Sequence, residues 1–149
     1  MSQIRSEGRQ VSGGPVLEKL DRSECLRLLG TVHIGRVAFT IDALPSVQPV
    51  NFVLHDGEII FRTSRGSKLA AALRNTIVAF EVDEYDSTQR TGWSVTAVGR
   101  ADVVAEPERV QELAMLPLSP WAPGDREHFV AIKTSVLHGR RILRSEAPA

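Results

Sequence analysis

Six or seven apolar runs rich in β-branched and aromatic residues follow one another along this 149-residue chain, with only turns or short helical stretches between them. Such immediate succession favours an antiparallel sheet or barrel over a doubly wound parallel fold, in which strands would alternate with helices. The clearest junction is Asp56-Gly57, which separates VQPVNFVLH from EIIFRTS and supplies the positive φ values of a tight hairpin turn. Closure of the sheet into a barrel would also remove its exposed edges.

The first sixteen residues mix Ser, Gly, Gln and charges without apolar periodicity and read as a flexible tail, with residues 145–149 as a second one. One domain, 17–144, lies between them. A helix is expected at about 21–29, capped by Asp21, with Glu24 three positions on, an apolar stripe from Leu17, Leu20, Cys25 and Leu28, and a stop at Gly30. Ile34 to Ile41 reads as a strand. SKLAAALRN reads as a short helix between Ser67 as cap and Asn75 as stop. TIVAFEVDEYD and TGWSVTAVGRADVVAE are strands joined by a polar turn from Asp86 to Thr91, and ERVQELAML, after Pro107, is a third helix ending at Pro117. LSPWAPGD is an irregular loop because its prolines remove donors. HFVAIKTSVLHGRRIL reads as one long strand, bent or bulged near Gly139. The expectation is a mainly β fold, a barrel, with three short helices.

Charge and cysteine content narrow the partners. Eighteen Lys plus Arg balance eighteen Asp plus Glu, so no long-range field draws the chain to nucleic acid or to an anionic membrane. Cys25 is the only cysteine and can form neither an internal disulfide nor a cysteine-based zinc site. With no secretory apolar stretch and no run of about 20 apolar residues, a cytoplasmic protein is expected. His33, His55, His128 and His138 show no metal-ligand spacing, and no metal is expected. No nucleophile elbow or paired-carboxylate pattern stands out.

Positive charge is nevertheless local. Phe61 to Phe80 contains Arg62, Arg65, Lys68 and Arg74 and no acidic residue. Within RTSRGSK the cations interleave with Thr63, Ser64 and Ser67, and Gly66 frees the backbone before a helix begins. Together these make a phosphate cradle or a solvated basic surface. A nucleotide-triphosphate loop is excluded, since its second glycine would fall at Phe61. Pro49, inside Gln48-Pro49-Val50-Asn51-Phe52, marks either an ordinary edge strand or a break whose free backbone groups can meet a planar heterocycle. Trp93 opens a strand, as a core plug or a ligand contact. Trp121, between prolines, must pack on its own domain, a partner chain or a ligand.

Taken in order, GRVAFT, LPSVQPVNFVL, DGEIIFRTSRGSKLAAALRN, VAFEVDEYD, TGWSVTAVGRA and the terminal HGRRI resemble the pyridoxamine 5′-phosphate oxidase-like flavoproteins, above all their small actinobacterial and nitroimidazole-resistance-like members. The resemblance spans about residues 18–143. It implies an FMN-binding split β-barrel and a homodimer with flavin mononucleotide in the clefts between subunits. Carried onto this chain, Arg62, Thr63, Ser67 and Lys68 would hold the phosphate, and Pro49, Val50 and Asn51 would border the isoalloxazine. Trp93 and Ser94 would approach from a neighbouring strand, and Trp121 would come from the partner or cover the ring. The implied function is a flavin-dependent oxidoreductase acting on a small molecule, with a reduced nicotinamide as a candidate donor. The alternative is a non-catalytic carrier of flavin, deazaflavin or haem. The family's C-terminal substrate-binding arginine and histidine pattern has no match here, so oxidation of the vitamin itself is not implied.

Overall fold

The computed structural model describes residues 14–64, 66–118 and 127–144. Arg65 and Trp121 lie outside them. In chain order the elements are β1 (Pro15–Leu20), α1 (Arg22–Leu29), β2 (Ile34–Ile41), β3 (Leu44–His55), β4 (Glu58–Ser64), α2 (Lys68–Ala72), β5 (Thr76–Asp86), β6 (Thr91–Val103), α3 (Pro107–Ala114), β7 (Glu127–Lys133) and β8 (Val136–Arg144).

All pairings are antiparallel. Strands β6, β5, β2, β3, β4 and β7 follow one another, and β7 pairs back onto β6, closing a six-stranded barrel. β8 and then β1 extend the sheet from the other half of β6. The mainly β, split-barrel expectation is therefore what the chain adopts. Alternation along each strand fills the barrel: Val37 and Phe39, Val50 and Phe52, Ile59 and Phe61, Phe80 and Val82, Val95 and Ala97 all point inward and are buried. Phe52 and Phe80 meet edge to face with centroids 4.9 Å apart, a geometry that suits the ring quadrupoles. A second, smaller core under α3 gathers Ile60, Val104, Leu113, Leu118, Phe129 and Ala131.

Local signals set the turns and caps. Asp56 and Gly57 both have positive φ, 51° and 78°, as the hairpin requires. Asp21 caps α1 by accepting from Glu24 N–H at 2.9 Å. Glu24 does not complete a capping box; its carboxylate bonds Arg27 and, at 2.6 Å, Arg141 on β8. Ion pairing thus ties α1 to the sheet. Cys25 is fully buried beneath it, as expected of a small core residue, and burial pushes its thiol pKa up.

Three expectations are corrected. Pro15–Leu20 is a strand, with Leu17 exposed on it, where no strand was expected before Asp21. It forms because β8 offers an edge, and it pairs with that strand from Pro15 to Leu20, a partner no local pattern reveals. Second, α2 spans only five residues and stops before Asn75, whose φ of 52° is left-handed. Third, the long terminal strand is broken at Thr134–Ser135, not at Gly139. From Ala101 to Val98 the partner strand advances from Ile132 to Val136, one residue more than β6, which is a bulge. Thr134 holds it, donating to the Gly57 carbonyl at 2.7 Å and accepting from Arg22 at 3.2 Å. Opposite the bulge, a Cβ on Gly99 would fall 1.8 Å from the Lys133 carbonyl, so glycine is what lets β6 change partner and the barrel close. Gly139 has another role: a Cβ there would meet Cys25 Sγ at 2.5 Å. No described helix is long and apolar enough to cross a membrane.

Candidate functional site

The hairpin brings the two suspected segments together and then separates them. The β3–β4 ladder runs from His55–Glu58 to Phe52–Phe61 and stops. Beyond that pair, Asn51, Val50 and Pro49 continue in the ladder with β2, while Arg62, Thr63 and Ser64 continue in the ladder with β7. A split therefore opens with Pro49–Asn51 on one lip and Arg62–Ser64 on the other. Proline has no N–H to offer a ladder, so Pro49 suits a lip that faces no strand.

Beyond the second lip, Gly66 turns the chain with φ of 75°, and Ser67 caps α2, accepting from Ala70 N–H at 3.0 Å. Ser67 Oγ also lies 3.2 Å from Thr63 Oγ1. One hydroxyl hydrogen lies between the two oxygens, which leaves the other for a ligand. Lys68 is exposed, with no polar partner among the described residues. Two hydroxyls and an ammonium at a backbone turn suit a phosphate. Because α2 has only five residues, its dipole adds little and the side chains carry the site.

Strand alternation divides the proposed phosphate residues. Thr63 joins Ser67 on one side of β4. Arg62 points to the other, where its Nη1 donates to the Leu118 carbonyl at 3.0 Å and its guanidinium carbon sits 5.2 Å from the centroid of the Phe129 ring. That contact holds the guanidinium on the face of β4 opposite Thr63 and Ser67.

Trp93 and Ser94 are elsewhere. They line a cleft of about 290 Å³ with Leu17, Tyr85, Arg140 and Ile142, on β6. Strands β2 and β5 stand between β6 and the Pro49 lip, a separation of about 14 Å at ordinary strand spacing. Trp93 is half-buried and also packs on the core. Trp121 falls outside the described residues.

Two charged groupings escaped the sequence reading because their members are distant in sequence. His55 Nε2 lies 2.9 Å from Glu112 and 3.5 Å from Asp56, tying α3 to the hairpin. On the outer sheet face Arg36 lies 3.5 Å from both Glu81 and Asp83. There desolvation, reinforced by a hydrogen bond and repulsion from Asp83, raises the Glu81 pKa to about 7 against the pull of Arg36.

The comparisons with known proteins agree with this geometry. The profile of the pyridoxamine 5′-phosphate oxidase family matches residues 21–143. An uncharacterized protein of Mycobacterium tuberculosis is 42% identical over 130 residues, covering 84% of this chain and 85% of that protein. Among solved structures, an FAD binding protein from Mycobacterium smegmatis is 35% identical with a TM-score of 0.73, covering 83% of this chain and 98% of that one. A chain from Corynebacterium glutamicum named for the same family is 28% identical with a TM-score of 0.75, covering 87% and 96%. A split barrel, a profile match across nearly the whole domain and a close relative converge: this chain belongs to the pyridoxamine 5′-phosphate oxidase family.

Proposed function

We propose that this protein binds a phosphorylated flavin, flavin mononucleotide being the smallest that fits, and works as a flavin-dependent oxidoreductase on a small molecule. The observation that carries the reading is the opening of the β3–β4 ladder beside the Thr63–Ser67 hydroxyl pair and Lys68, which is exposed and has no polar partner among the described residues. Relatives that bind FAD support it. Thr63, Ser67 and Lys68 hold the phosphate, Arg62 adds positive charge alongside, and Pro49, Val50 and Asn51 border the ring. The bound flavin, or a deazaflavin in its place, supplies the hydride or electron chemistry, and the protein supplies position and electrostatics.

The ring site is completed by a second copy. Trp93 and Ser94 are too far from the Pro49 lip to act on the same ring within one chain, whereas a homodimer would let one protomer's cleft meet its partner's lip. An apolar row supports the dimer. Val47, Ala38, Ala79, Val98 and Val136 pair in succession across the outer face of β3, β2, β5, β6 and β8, and Val47 is 69% exposed. Such a stripe in water marks an interaction surface.

Reconstitution with flavin mononucleotide tests the reading: wild type retains the flavin absorbance after gel filtration, and Lys68→Ala loses most of it. Protein that retains no flavin would overturn it. A carrier without turnover is the second reading, favoured because none of Arg62, Thr63, Ser67 and Lys68 carries a carboxylate or imidazole to move protons. Consumption of a reduced nicotinamide in the presence of an electron acceptor excludes the carrier; tight flavin binding without consumption selects it.

A further inference from the structure

The apolar row on the outer sheet face has a charged neighbour. Two residues further along the same strands, and therefore on the same face, Pro49, Arg36, Glu81, Thr96 and His138 stand opposite one another across β3, β2, β5, β6 and β8. The row after that includes Asp83, Ser94 and Arg140. Arg36 lies 3.5 Å from both Glu81 and Asp83, so with every group ionised one guanidinium faces two carboxylates and the grouping carries a net negative charge. From β6 the hydroxyls of Thr96 and Ser94 face it, and on β5 the Tyr85 phenol follows on the same side. His138 and Arg140 on β8 stand two strands away, about 10 Å at ordinary spacing.

A second copy seated on the apolar row covers this grouping as well. At about 4.8 Å between strands and about 7 Å per residue pair, the row itself offers about 160 Å², far short of the about 800 Å² per partner of a standard interface. The interface therefore extends over the rows beside it. The Pro49 lip and the Ser94 cleft, which the dimer brings together, belong to those rows. Covering the ionised grouping strips water from its net charge, and in a two-fold dimer each copy brings the same charge. A proton on the carboxyl pair removes both penalties. Desolvation, then the hydrogen bond and repulsion from Asp83, already hold the Glu81 pKa at about 7 in the single chain.

We propose that association of two copies takes up a proton at the Glu81–Asp83 carboxyl pair of each, so that the dimer loosens as pH rises through neutrality. The proposal rests on the homodimer reading above and adds its regulation. Association raises the proton affinity of the pair; the extra dimer stability is present below the free chain's pKa and is lost as pH rises through the higher value in the dimer.

Fluorescence-detected sedimentation of the labelled full chain at about pH 6 and about pH 8, on either side of the Glu81 value of about 7, reads the dimer dissociation constant at fixed ionic strength. The constant is at least about tenfold larger at the higher pH, because each copy gives up a proton. Glu81→Gln, the neutral isostere, keeps the low-pH constant at both. Asp83→Asn, which leaves Arg36 and Glu81 as a balanced pair, does the same. Imidazole also changes charge near neutrality, and His138→Gln retains the wild-type pH dependence. A dissociation constant that does not change with pH, a pH dependence that survives either carboxyl substitution, or one that His138→Gln abolishes overturns the proton linkage and leaves the homodimer standing. Monomer at every concentration and both pH values overturns the homodimer reading and this proposal with it.

Discussion

Ser67 fills two roles through one oxygen, and two substitutions separate them. Its Oγ caps α2 at 3.0 Å from Ala70 N–H and stands 3.2 Å from Thr63 Oγ1 in the phosphate cradle. Ser67→Ala removes the cap, which costs about 1 kcal/mol of stability and lowers the melting temperature of a domain this size by about 3 °C. Its effect on phosphate binding is under about tenfold, because the Thr63 hydrogen, no longer shared, turns to the ligand. Ser67→Asp keeps a carboxylate cap and melts close to wild type. It places a negative charge in the proposed phosphate site, however. At about 4 Å, repulsion from each phosphate charge is about 1 kcal/mol in water and about 4 at a half-buried site. The two charges together weaken binding at least about thirtyfold. Thermal denaturation and flavin titration of the two variants check both halves. A Ser67→Asp protein that binds FMN as wild type does would refute the cradle, and one that melts well below Ser67→Ala would refute the cap.

Gly99→Ala forces a Cβ against the Lys133 carbonyl and should cost about 3 kcal/mol or more by preventing the strand exchange that closes the barrel; urea denaturation measures it. Glu24 is held at a pKa of about 2 by its hydrogen bonds to Arg27 and Arg141. Its contribution is present above the ordinary value of 4.5 and is lost as pH falls towards 2, so Glu24→Gln flattens the stability profile in that window. Glu81 has the opposite sign: with a folded pKa of about 7 it binds its proton more tightly when folded, so stability falls as pH rises from 4.5 through 7. Glu81→Gln removes that decline in melts recorded at several pH values. Val47→Asp puts a charge into the apolar row and, for the homodimer proposed above, shifts light-scattering mass towards the monomer.

What the sequence determined by itself was whatever depends on near neighbours. Asp56-Gly57 dictated its hairpin, Asp21 and Ser67 their caps, and alternating apolar residues the inward face of each strand, because dihedral preference and period-two burial act within a few residues. The nearness of Thr63 and Ser67 in the candidate cradle was legible for the same reason: they and Lys68 are within six positions, and a hydrophobic hairpin fixes the lip across from them. Arg62 shows where this stops, since its place beside Thr63 in the chain sends it to the opposite side of the strand. Tertiary structure alone decided the rest. The pairing of β1 with β8, the bulge at Thr134–Ser135 and the need for Gly99 all arise from which strands meet, over separations of 30 residues or more. A cavity by Arg74 has walls from β6, α3 and β7, and no local pattern marks side chains that become neighbours only when a sheet closes on itself.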